Sequence, residues 1–209
     1  FAAAAERVAA ARDLLGGWHR HSWLQYARLD DHLGSILRAE ALADPAAAGD
    51  KFARAADLKI PAALAVDSVR YTIADADARM RWATYVSARM LAGAFAVAWE
   101  WRNTGLLSEL IEYHSARGTF ITPDVQPATA AWADTATAAV PVDDDTDDYA
   151  LVASGHAPTG SAPLTRLGAL PPLRMDPGGA PVLARYRELA FQRYGRRVTA
   201  DEGEWSTCP

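Results

Sequence analysis

Helical periodicity is the feature that most constrains what this chain can fold into. Trp23, Tyr26, Leu29, Leu33, Ile36 and Leu37 recur at spacings of three and four, which puts them on one face of an α-helix. Leu64, Val66, Val69 and Ile73 follow Pro61, a residue suited to the first position of a helix. Asp75 or Asp77 is placed to cap a further helix carrying Met80, Trp82, Tyr85, Val86, Met90, Leu91 and Phe95. Thr104-Gly105 opens another, LLSELIEYHSAR. Gly118 ends it, and His114 and Arg117 sit in the last turn, where cations suit the helix dipole. FAAAAERVAAARDLL is already helical at its first residue, so Phe1 is expected to begin a piece of a longer chain, and Gly16-Gly17 separates this helix from the next. Residues 1–118 therefore read as a helical domain, either a bundle or a short helical-repeat-like array. Residues 79–118 have the form of one helix–turn–helix repeat unit, but no second copy follows at a period of roughly 30–45 residues.

Charge marks where this pattern stops. Residues 1–118 balance 14 basic against 14 acidic side chains, whereas residues 119–182 set Arg166 and Arg174 against eight acids. Residues 119–182 also crowd prolines and glycines in APTGSAP, LPPL and DPGGAP, which long regular elements do not tolerate. They read as an irregular acidic segment docked on the helical domain, with room for a short helix around Trp132 and for short strands such as YALVAS. Residues 183–209 return to helix, with Leu183, Tyr186, Leu189, Ala190 and Tyr194 on one face, a stop at Gly195 and a polar tail. The expected fold is mainly α.

Several function classes are disfavoured. The net charge is −5, and Lys51 and Lys59 are the only lysines, so phosphate neutralisation by concentrated positive charge is not expected and no nucleic-acid partner is predicted. Cys208 alone cannot form an internal disulfide. The most apolar run, Met90 to Trp99, is far short of the ~20 residues that span a bilayer. No signal peptide is visible, and the expected location is the cytoplasm, without a membrane partner.

Candidate chemistry is sparse. His21 and His32 share a helical direction but stand about 16 Å apart along the axis, too far for one metal. His19 joins them without completing a ligand motif. Glu109 and Glu112 lie one turn apart beside Tyr113 and His114, a set able to line an inter-helix pocket for acid–base work or a small molecule. A solvated helix face explains the same spacing. GHAPTGS, residues 155–161, lacks the lysine of a phosphate-binding loop, and Pro163 stands where a helix should begin. The run Asp143 to Asp148 lacks the glycine and the closing glutamate of a calcium loop. Cys208 sits in the tail, away from any formed pocket that a nucleophile requires. No catalytic, cofactor or metal residue is assigned.

The seven tryptophans are Trp18, Trp23, Trp82, Trp99, Trp101, Trp132 and Trp205, and most are expected to join helices, since each buries a large area. Trp99 and Trp101 point about 200° apart on a helix, so they cannot both face one core. One of the two is a candidate contact for a partner.

ELIEYHSARGTF and LTRLGALPPLRMDPGGAPVLARYRELAFQRYG resemble the helical portions of large CHAT-domain proteins of high-GC bacteria, most of all in the LPPLRM and RYG phrases. Such proteins join a caspase-like protease domain to helical repeats of the tetratricopeptide type. The resemblance implies a noncatalytic helical region, because the family's catalytic His–Cys pair has no counterpart here. The expected function is protein–protein contact or scaffolding with a protein partner or an adjacent domain, in regulation of a linked protease domain. The alternative is an enzyme or small-molecule binder using Glu109, Glu112, Tyr113 and His114.

Overall fold

The computed structural model describes residues 1–15, 22–73, 75–116, 172–176, 178–200 and 205–206. Gly16-Gly17, Trp18, His19, His21, Trp132, Asp143 to Asp148, residues 155–161, Cys208 and nearly all of 119–182 lie outside them. One compact unit takes residues 1–119 together with 168–209; the other, 120–167, lies wholly outside the described residues.

The described chain is mainly helical. The helices are α1 (Ala2–Leu15), α2 (Trp23–Ala43), α3 (Ala48–Asp67), α4 (Ala76–Trp82), α5 (Ala88–Glu100), α6 (Thr104–Ala116) and α7 (Ala184–Tyr194). A π-helical turn, Ala83–Ser87, joins α4 to α5 without a break. Asp75 caps α4, its Oδ1 accepting from the Ala78 amide at 2.7 Å. Asn103 caps α6, its Oδ1 accepting from the Leu106 amide at 3.0 Å. Two short strands, β1 (Leu173–Arg174) and β2 (Trp205–Ser206), pair in parallel, Leu173 opposite Trp205 and Arg174 opposite Ser206.

The core is organised around α3. Every residue from Lys59 to Ser68 is buried, the pattern of a helix covered on all sides, and α2, α5 and α7 pack around it. The expectation that Pro61 opens a helix is corrected: it lies inside α3. A mid-helix proline removes the amide that would reach the carbonyl four residues back, here that of Asp57. Arg193 of α7 supplies a replacement donor from Nη1.

The buried line of α2 is Ala27, Asp30, Gly34, Leu37 and Ala41, while Trp23, Tyr26, Leu29, Leu33 and Ile36 flank it half-buried. Small residues take the line of closest approach to α3. The stem of buried Lys59 runs along it, between Gly34 and Gly93. A Cβ at Gly34 would stand 2.3 Å from Lys59 Cγ, and one at Gly93 2.7 Å from Lys59 Cε. Lys59 Nζ then donates to Asp31 Oδ1 at 2.5 Å, to the Asp31 carbonyl at 3.1 Å and to Ser35 Oγ at 2.9 Å.

α7 completes the core, contributing buried Tyr186, Ala190 and Tyr194, with Val182 and Leu183 before it and Val198 after. Segment 183–209 thus belongs to the same unit as the N-terminal helices.

Candidate functional site

The four residues of the expected pocket divide between structural partners and a surface trough. Glu109 Oε2 accepts from the amide of Leu183, which sits at φ 53° just before α7. A carboxylate there satisfies an unpaired amide at the start of α7 and faces the positive end of its dipole. Tyr113, one turn on, is buried and donates to Asp67 Oδ2 at 3.0 Å. Burial raises the Tyr113 phenol well above its ordinary range, and the Asp67 charge adds to the shift. Glu112 is half-buried. His114 is exposed and meets the Phe95 ring edge-on at 5.9 Å.

A second buried carboxylate serves the same kind of purpose. Asp30 is 1% exposed, accepts from Tyr194 at 2.6 Å through Oδ2 and pairs with Arg12 through Oδ1. Burial raises the Tyr194 phenol, with Asp30 adding to the shift. Asp30 and Asp67 therefore tie α1, α6 and α7 to α2 and α3. Sequence reasoning missed both, since each partner is remote along the chain.

Among the described residues, an apolar surface trough lies between α5 and α6. Ala88, Ala92, Phe95 and Trp99 form one wall of an apolar trough of about 630 Å³, and Leu107 and His114 form the other. A second depression of about 510 Å³ shares Trp99, Glu100 and Leu107 and extends the trough to Leu42, Arg102 and Thr104. Trp99 stands between the two, 71% exposed, and Leu42 is 54% exposed. Trp101, in the turn that follows α5, is half-buried against the core. Ile111, 52% exposed, continues the stripe of Leu107 and His114 along α6.

Glu100 is the acid of the trough. Its Oε2 accepts from Arg38 Nε at 2.5 Å and its Oε1 from Arg38 Nη2. This hydrogen bonding raises the Arg38 pKa despite the opposing effect of burial. Arg102 is exposed at the rim of the second depression and makes no ion pair among the described residues.

Among the described residues no three His, Cys, Asp or Glu side chains gather in a metal-holding group, and no helix is long and apolar enough to cross a membrane. No family model, no curated protein and no solved structure matches this chain.

Proposed function

We propose that this chain is a noncatalytic helical interaction region that presents the α5–α6 trough to a protein partner. The observation that carries the reading is Trp99, 71% exposed between two adjoining depressions, the first of them lined mainly by apolar side chains. Tryptophan is enriched among the few residues that carry most of the binding energy at protein interfaces, and an exposed apolar groove rimmed by polar residues is the form such contact sites take. The resemblance to helical parts of CHAT-domain proteins supports a more specific role, regulation of a linked caspase-like domain. A small-molecule pocket on Glu109, Glu112, Tyr113 and His114 has less support, because Glu109 and Tyr113 already hold α7 and Asp67.

The interaction reading is tested by selecting a random displayed peptide library against the folded chain, with the Trp99→Ala variant as counter-target. Recovery of peptides that bind the chain and lose the variant supports it; recovery of none defeats it. The regulatory role is tested on the gene. A caspase-like domain in the same reading frame supports it, and a complete frame without one removes it.

A further inference from the structure

We infer that the occupant of the α5–α6 trough is an amphipathic α-helix of another protein, with acidic side chains beside its apolar face; this rests on the interaction reading above. The lining selects a helix over an extended segment. Both walls are side chains of helices whose backbone groups are already bonded internally, so no strand edge is offered. An extended peptide laid against Ala92, Phe95 and Leu107 would leave its amides and carbonyls facing apolar groups without partners. A helix arrives with those bonds made. Ala88, Ala92 and Ala96 follow one another every four residues along the wall, and small residues there let a second helix axis come close. From Ala88 to Trp99 the wall runs roughly 16 Å, three helical turns.

Charge selects the acidic flank. The carboxylate of the trough, Glu100, is held on both oxygens by Arg38, which leaves Arg102 as the lining charge that meets an occupant. The backbone at Arg102 is a second, independent observation. It sits at φ 57°, in the left-handed position that closes α5. Its amide donates to the Trp99 carbonyl at 3.0 Å and the Asn103 amide to the Ala98 carbonyl at 3.1 Å, the paired bonds of a Schellman motif. Glycine fits that position without strain, and a strained residue that persists beside a binding surface points to use of its side chain. The cation borders Trp99, where an acidic partner would be steered and oriented.

The test uses the full chain and the Trp99-dependent peptides recovered by the selection described above. Their labelled synthetic copies are read by fluorescence anisotropy and circular dichroism. Aspartate or glutamate should flank an apolar face spaced three and four residues apart, and the peptides should become helical on binding. Affinity should fall at least tenfold when the acids become lysine, when proline is placed at the centre, or when the chain carries Arg102→Glu. Rising salt should weaken the complex. Trp99-dependent peptides that are basic, or that bind in extended form, overturn this inference and leave the interaction reading standing; a selection that yields nothing Trp99-dependent overturns both. Trp99-dependent sedimentation with phosphatidylcholine–phosphatidylserine vesicles would assign the face to a lipid surface instead. A dimer in analytical ultracentrifugation that Trp99→Asp abolishes would assign it to a second copy of the chain. Either result overturns the proposed occupant.

Discussion

Arg193 donates through Nη1 to the backbone carbonyl of Asp57, the acceptor that Pro61 deprives of its helical donor. The same aspartate takes Arg185 Nη2 on its side chain at 2.6 Å. A residue that would ordinarily end a helix is thus tolerated at the centre of the core, because α7 completes the backbone bonding of α3.

This predicts coupling between Arg193 and Pro61. Arg193→Met should cost about 1–2 kcal/mol, the worth of a hydrogen bond from a charged donor to a partly buried acceptor. Pro61→Ala returns the missing amide, so Arg193→Met should cost clearly less in that background. Urea unfolding of the four proteins of the cycle measures the difference. Equal costs in both backgrounds would show that Arg193 contributes only packing.

Lys59 and Gly34 are coupled by volume. Alanine normally improves a helix interior over glycine by about 0.5–1 kcal/mol. Here the added methyl would sit 2.3 Å from Lys59 Cγ, close to the backbone, and 3.2 Å from the Ala55 carbonyl. Gly34→Ala is therefore expected to destabilise by about 1–3 kcal/mol. Gly93→Ala should cost less, since it meets the movable end of the same side chain. Asp31→Ala removes the charge partner of a buried ammonium and should cost about 2 kcal/mol, less than for a fully buried pair because Asp31 is 20% exposed. Thermal melts rank the three variants; Gly34→Ala melting above the parent would refute the close contact.

The sequence was legible where the governing forces are local. Periodicity predicted α2, the α4–α5 run, α6 and α7. Asp75 is a cap because its side chain serves an amide three residues on. What escaped depends on remote partners. Asp30, Asp67 and Lys59 are buried, which polar residues tolerate only when paired, and Tyr194, Tyr113 and Asp31 lie far from them in the chain. Glu109 looked available for chemistry because the Leu183 amide that occupies it is 74 residues away. Proline's local rule placed Pro61 at a helix start, and only Arg193 explains the interior position. Arg102 gave no hint of a left-handed residue, since glycine is the usual marker of one.

Tyr113 and Tyr194 make stability fall in alkali. Both phenols are raised above their ordinary value of 10.0, chiefly by burial. The unfolded chain releases these protons near pH 10 while the native state retains them, so above that pH the unfolded state binds fewer protons and is favoured. Stability from these groups is complete below pH 10 and declines above it, by up to about 1.4 kcal/mol per pH unit for each tyrosine. Tyr194→Phe should be less stable at neutral pH by about 2 kcal/mol, having lost a hydrogen bond to a buried carboxylate. Its decline above pH 10 should nonetheless be shallower. Chemical unfolding between pH 7 and 11 checks both, and parallel declines would show that Tyr194 titrates normally.

Arg102→Gly should separate stability from binding. A non-glycine residue in the left-handed region costs roughly 1–2 kcal/mol. Glycine relieves that strain but loosens the unfolded chain, which takes back about 0.4–1 kcal/mol. The net expectation is a gain of about 0.5–1 kcal/mol, read as a higher midpoint in urea. The same substitution removes a cation from the edge of the trough beside Trp99, so acidic helical peptides should bind more weakly. Arg102→Lys keeps both the strain and the charge and should leave stability and affinity near those of the parent. If Arg102→Gly instead lowers stability, the side chain holds the α5–α6 turn together. Its place at the trough would then be structural, and the argument for an acidic partner would lose its strained cation.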